Sequence, residues 1–305
     1  MYVPAHVEPT VDQRIVEAGA VLPAYGGVTG WAALAWSGGT WFHGRGPDGT
    51  PVPVPLAIGS SRIRPQSGIQ VTSETLGMGD LEVVDGLAVT SLLWALAWEL
   101  RHASDARRAV AIADMAAYSD LVSRAELERW AAAMLPQTGV DKVRAAVEHM
   151  DENSWSWQET ALRLVWVLDA GLDRPLCNAA IFDRFGQHLA TCDLLDVETG
   201  LAIEYNGHVH DGRPRADLDR QRTTLLEAHG ITMITVVEAN MQDRGALAEM
   251  LYDAREEARR VGPSVRPWTL DQPSWWVPTE TVADRRALST QQRARLLAHR
   301  TGDAA

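Results

Sequence analysis

The stretch Ala190–His210, ATCDLLDVETGLAIEYNGHVH, carries apolar, alternating ends around Glu198-Thr199-Gly200, which is the pattern of a β-hairpin. A turn centred between Glu198 and Thr199 pairs Asp193 with Glu204 across the strands, their Cβ atoms about 5 Å apart. Facing like charges destabilise a sheet unless a cation or a shared proton relieves them, so the pair predicts a divalent-metal site. Asn206, two residues past Glu204, shares its face because strand side chains alternate with period two.

The flanks extend this hairpin into a domain. Upstream, Ser156 starts a helix that stops at Gly171, with Leu162, Val165, Trp166 and Leu168 as its apolar side. Cys177–Phe182 and Gln187–Val197 read as strands around an Asp183–Gly186 turn. Downstream, Arg213-Pro214-Arg215 leads into a helix from Ala216 to His229, closed by Gly230. Ile231–Val237 is continuous and β-branched, predicting an inner strand covered on both faces. Asp243–Arg259 is a closing helix.

The spaced set Glu159, Asp193, Glu204-Tyr205-Asn206-Gly207 and His210, followed by Asp219, Arg222, Leu226 and Gly230, resembles the very-short-patch-repair-like endonuclease family of the PD-(D/E)XK restriction-like superfamily. The resemblance runs from Trp155 to Arg260 and implies an αβββαβ restriction-endonuclease-like core acting on DNA. It implies phosphodiester hydrolysis by Glu159, Asp193, Glu204, Asn206 and His210, with Mg²⁺ or Mn²⁺ held by Asp193 and Glu204. Such a metal polarises the phosphate and lowers the pKa of its water, and His210 is placed to move a proton. Where the family carries Asp and the superfamily Lys, this chain has Asn206, whose amide oxygen can coordinate a metal but brings no charge. Arg213, Arg215, Arg220 and Arg222 are candidate phosphate contacts.

Each assignment has a plainer rival. Ser156 and Glu159 form the Ser-x-x-Glu of a capping box. Arg220 and Arg222 could line a solvated face with Asp217 and Asp219, and Asp193 could be salt-bridged to Arg222 or Arg163. A zinc site would recruit Cys177, Cys192, His208 and His210, at spacings that match no compact zinc motif. A rival for the whole chain is a non-catalytic regulator resembling an abortive-infection antitoxin, favoured by Asn206 and by the acidic charge.

The 305 residues favour two domains. The expected class is α+β, divided as 1–90, a small mixed α/β domain with a possible winged-helix remnant; 91–150, a helical connector; 151–262, the restriction-endonuclease-like domain; and 263–305, a peripheral tail. A net charge of −12 argues against non-specific coating of nucleic acid, though a carboxylate-rich metal site is acidic by design. Lys142 is the single lysine. Two cysteines fit a reducing compartment. The opening Met1-Tyr2-Val3-Pro4 shows no leader pattern and no segment is apolar for long enough to span a bilayer, so the expectation is a cytoplasmic protein without membrane contact.

Within the first half, Val11–Ala20 and a segment capped at Thr29 read as short helices. Gly44–Gly49 has dinucleotide-binding spacing but leads into Thr-Pro-Val-Pro-Val-Pro, so it reads as a turn. The proline-rich run suits only an edge strand. Leu92–Leu100, Ala103–Ala117, Leu121–Leu135 and Val140–Met150 have helical spacing, with caps at Ser123 and Thr138.

Overall fold

The computed structural model describes residues 10–46, 48–207, 222–261 and 266–300. The chain is an α+β protein with two mixed five-stranded sheets, and it divides into two compact units, Met1–Met150 with Arg286–Ala305, and Asp151–Arg285. The helices read as a connector therefore belong by their contacts to the first unit.

In the first unit, α1 (Val11–Gly19) is capped by Thr10, whose hydroxyl accepts from Gln13 N at 3.2 Å. The sheet joins β1 (Gly27–Val28), β2 (Val54–Ala57), β3 (Ile69–Thr72), β4 (Leu81–Val84) and β5 (Leu87–Thr90) in the order β3-β2-β1-β5-β4. Between β1 and β2, α2 (Gly30–Trp36) buries Gly30 to Leu34 and offers no exposed recognition face. Thr29 precedes it, but the Thr29 hydroxyl bonds Thr90 Oγ1 at 2.8 Å instead of capping. Within Gly44–Gly49, Gly49 N donates to the Gly46 carbonyl at 2.9 Å, and Arg45 bridges to Pro51.

β2 departs from expectation. It contains Pro55 yet lies inside the sheet, between β3 and β1. A residue's N–H and C=O point to the same side of a strand, and the Pro55 carbonyl accepts from Thr29 N at 2.9 Å. The proline nitrogen thus faces the end of the two-residue β1, where the Thr29 carbonyl is already taken by Ala33 N at the start of α2. No ladder bond is lost there.

Four helices follow: α3 (Leu92–His102), α4 (Ala106–Tyr118), α5 (Arg124–Ala133) and α6 (Val140–His149). Ser123 and Glu126 close a reciprocal capping box on α5. The cap of α6 is Gly139 rather than Thr138, in a left-handed conformation (φ 79°) and packed so closely on the Arg101 carbonyl that no Cβ would fit.

The second unit opens with α7 (Trp157–Leu164), which loosens into a π-helical turn over Val165–Asp169. Its sheet has the order β10-β6-β7-β8-β9, from β6 (Leu176–Asp183), β7 (His188–Asp196), β8 (Leu201–Asn206), β9 (Thr232–Val237) and β10 (Trp268–Thr269). Helix α8 (residues 222–228) lies between β8 and β9 in sequence, and α9 (Glu238–Met241) and α10 (Arg244–Val261) follow β9. One face of the sheet packs Cys177, Leu194, Leu201 and Ile203 against Leu162 of α7 and Leu247 and Leu251 of α10. The other packs Ala179, Cys192, Leu195 and Ala202 against Leu226 of α8 and Trp268.

Two expectations are corrected here. Among the described residues β9 pairs with β8 alone, so it lies at the sheet edge, although it is covered on both faces as expected, Ile234 and Val236 packing in one cluster and Met233 in the other; a β-branched run states strand propensity but not position in the sheet. The tail is not simply peripheral. β10 pairs with β6, Trp268 is buried, α11 (Val282–Ala287) carries the fully buried Arg285, and α12 (Thr290–Leu296) returns to the first unit, where Arg293 pairs with Asp120 at 2.6 Å.

Candidate functional site

The β7–β8 turn is held by Asp196. Its carboxylate accepts from Glu198 N at 3.2 Å, Thr199 Oγ1 at 2.7 Å and the buried Arg255 Nε at 2.9 Å. Gly200 takes the left-handed conformation needed to reverse the chain (φ 75°). The resulting register is Asp196 with Leu201, Leu195 with Ala202 and Leu194 with Ile203. That is the register the sequence predicts, and the paired ladder ends at Leu194 with Ile203, one step short of Asp193 and Glu204. The half-buried Asp193 accepts from Tyr205 N through Oδ2 at 2.7 Å, which ties its carboxylate to the β8 backbone beside Glu204.

On the other side of Asp193, β6 is interrupted. Cys177 pairs with Leu194 and Ala179 with Cys192, while Asn178 between them sits at φ 45°. Its left-handed backbone breaks the alternation: Cys177 and Leu194 face α7 and α10, yet Ala179 and Cys192, two residues away on each strand, face α8. The buried Asn178 amide donates to the Asn153 carbonyl and to Glu159 Oε2, both at 2.7 Å. Asn153 returns two bonds, to the Cys177 and Asn178 carbonyls at 2.8 and 3.1 Å.

Glu159 is the third carboxylate. Its backbone N–H donates to the Ser156 cap, its Oε2 also accepts from Trp155 N at 2.8 Å, and its Oε1 accepts from Ser156 Oγ at 3.0 Å. Ser156 thus caps the helix, but the reciprocal half of the box is not made: the Glu159 carboxylate takes the Trp155 N–H in place of the Ser156 N–H and reaches across to β6. Burial, and then the Asp193 charge, push Glu159 up to about 7. Burial likewise raises Asp193, against the opposing pull of the Tyr205 N–H and of Arg222.

Arg222, on α8, forms an ion pair with Glu204 and donates to the Thr191 carbonyl at 2.6 Å. The arginine contact expected for Asp193 therefore falls on its neighbour. Asn206 is exposed at the end of β8, in register with Val237. His210, Arg213, Arg215 and Arg220 lie outside the described residues, as does His208. Cys177 and Cys192 point into opposite core clusters and do not converge as zinc ligands; burial pushes the Cys192 thiol up to about 12.

Among the described residues, no three His, Cys, Asp or Glu side chains gather closely enough to cage an ion. The donors at the hairpin are two carboxylates, Asp193 and Glu204. That set fits Mg²⁺, which keeps several waters and is commonly bound by one or two carboxylates plus substrate phosphate. It does not fit an all-protein cage. Asn178 and Asn153 join the hydrogen-bond cluster around Glu159, and motif spacing does not reveal them. Their signal was weak: Asn178 is an amide inside an otherwise apolar strand, and Asn is among the residues that tolerate a left-handed backbone.

Comparison of the chain with protein families, curated proteins and solved structures gave no match. Among the described residues no helix is long and apolar enough to cross a membrane.

Proposed function

We propose that the second unit is a metal-dependent DNA endonuclease domain, with α7, β6, β7, β8, α8 and β9 as an αβββαβ core of the restriction-endonuclease-like kind and with kinship to the very-short-patch-repair-like enzymes. The observation that carries the reading is the meeting of acids around one hairpin: Asp193 accepts from the Tyr205 N–H beside Glu204, and its charge lies close enough to the buried Glu159 to raise its pKa beyond what burial alone does. A bound Mg²⁺ or Mn²⁺ would supply Lewis-acid neutralisation of the scissile phosphate. Asp193 and Glu204 would hold it, the Tyr205 N–H orients Asp193, and Asn178 fixes Glu159. Arg222 occupies the cation's electrostatic place beside Glu204 and is free to turn to a phosphate oxygen once a metal takes over that carboxylate. Glu159, buried and met by three donors, positions the strand rather than abstracting a proton. Arg213, Arg215 and Arg220 remain candidate phosphate contacts, and His210 remains the candidate proton carrier.

The test is nicking of supercoiled plasmid by the purified chain with Mg²⁺ or Mn²⁺, alongside Asp193→Ala and Glu204→Ala. Both variants are expected to lose at least about a hundredfold in rate, the scale of removing a preorganised electrostatic group from a catalytic site. Equal nicking by all three proteins assigns the activity to a contaminant. Asn206→Asp is expected to raise activity by adding a carboxylate; unchanged activity removes Asn206 from the ligand set.

A second reading has its own observation. The Arg222–Glu204 ion pair supplies an internal cation, as a nuclease-like domain that has given up its metal would need, and it suits a non-catalytic regulator similar to an abortive-infection antitoxin. Calorimetric titration with Mn²⁺ separates the two. Saturable binding that Asp193→Ala abolishes favours the enzyme, and its absence favours the regulator.

A further inference from the structure

Aromatic side chains of the second unit gather at the β6–β7 end of its sheet. The turn there is set by Asp183, whose Oδ1 accepts from Phe185 N and Gln187 N, both at 2.8 Å. The chain after β10 folds back onto it: a Cβ on Gly186 would lie 3.2 Å from Pro273 Cβ, and Trp276 N donates to the Pro273 carbonyl at 2.9 Å. Phe182, Trp275 and Trp276 meet edge to face, with ring centres 5.0, 5.7 and 6.2 Å apart. Phe182 is fully buried, but Phe185 is 80% exposed and Trp275 59%. The Arg184 guanidinium lies 4.8 Å from the centre of the Phe185 ring.

This cluster is linked by contacts to the candidate site. His188 stacks on Trp276, centres 5.1 Å and planes 29° apart, and its Nε2 lies 3.1 Å from Thr191 Oγ1. The Thr191 carbonyl accepts from Arg222, the arginine paired with Glu204. Burial lowers the pKa of His188, and so does the nearby Arg222 charge. A chain of net charge −12 with one lysine gains little from neutralising phosphates. Stacking of bases on aromatic rings needs no such charge, and is worth about fivefold to a hundredfold in affinity per base. Paired bases show a protein only their edges, whereas unpaired bases offer their faces. A guanidinium beside an aromatic ring adds a cation for the base face or for phosphate.

We propose that Phe185, Trp275 and Arg184 form a stacking platform for unpaired bases, so that the nucleic acid reaching Asp193 and Glu204 is single-stranded or frayed beside the cut. What the platform feeds rests on the nuclease reading of those carboxylates, whereas the platform itself is measured by binding with metal chelated, so each can fail alone. Fluorescence anisotropy of a labelled thymidine oligonucleotide with the full chain in EDTA tests it, against the duplex and an abasic strand of equal length. The single strand is expected to bind saturably and more tightly than the duplex, and the abasic strand at least about fivefold more weakly. Phe185→Ala and Trp275→Ala should each weaken binding at least about fivefold, and Trp275→Leu, which keeps bulk without a flat face, should do the same. Met78→Ala, which trims a 95% exposed side chain in the first unit, should change nothing. Absence of saturable single-strand binding overturns the proposal, as does duplex or abasic strand bound equally well, or unaltered binding by variants that melt like the parent. Sedimentation as a dimer that Trp275→Ala dissociates would assign the patch to a second copy and overturn it too.

Discussion

At Asn178 one residue does two jobs, adopting a left-handed backbone and holding Glu159 and Asn153 with its amide. Asn178→Ala should therefore cost about 2–4 kcal/mol, combining unmet buried acceptors with left-handed strain. Asn178→Gly should recover only the backbone share. Urea unfolding of both variants checks this; equal losses would mean that the backbone conformation contributes nothing. Glu159 gives a pH signature. Its folded value is raised from 4.5 to about 7, so its stabilising contribution is complete below pH 4.5 and is lost as pH rises through about 7. Glu159→Gln should flatten the fall in melting temperature across that window, and parallel curves for parent and variant would contradict the assignment. Sequence spacing reached Glu159, Asp193 and Glu204, because caps and strand register are local. It missed Asn178, because a left-handed residue inside a strand is chosen by the neighbours it must reach.

At the scale of elements, the β7–β8 hairpin and α10 are joined by Arg255, which is 6% exposed at its side chain and bonds Asp196 and Glu198. Arg255→Met leaves the Asp196 carboxylate buried with its cation removed, and should cost about 3–5 kcal/mol. Arg259→Met, whose partner Glu198 is largely exposed, should cost under about 1 kcal/mol. Chemical denaturation of the two variants should rank them in that order. Hairpin register was readable from Glu198-Thr199-Gly200 and the alternating flanks. The edge position of β9 and the interior position of β2 were not, because each depends on which distant strand arrives alongside.

For the molecule as a whole, the second unit is a continuous stretch, whereas the first is completed by residues 286–305. Residues 151–285 alone should therefore melt cooperatively. A chain stopped at Arg285 should lose stability in its first unit, since it lacks Arg286 on Glu126, Arg293 on Asp120 and Arg300 on the Tyr118 carbonyl. Hydrogen exchange on the truncated chain should show the loss in α4 and α5; unchanged protection there would make the tail dispensable.

The amino-acid sequence by itself determined the α+β class, the Ser123 and Ser156 caps and the register of the β7–β8 hairpin, since these follow from side-chain period and turn chemistry over a few residues. Only the tertiary structure decided that β10 completes the second sheet, that Arg222 settles on Glu204 and that Asn178 turns the strand beneath Glu159. Those outcomes depend on groups far apart in the chain meeting in a low-dielectric interior, where unpaired charges and unmet hydrogen bonds are too costly to leave.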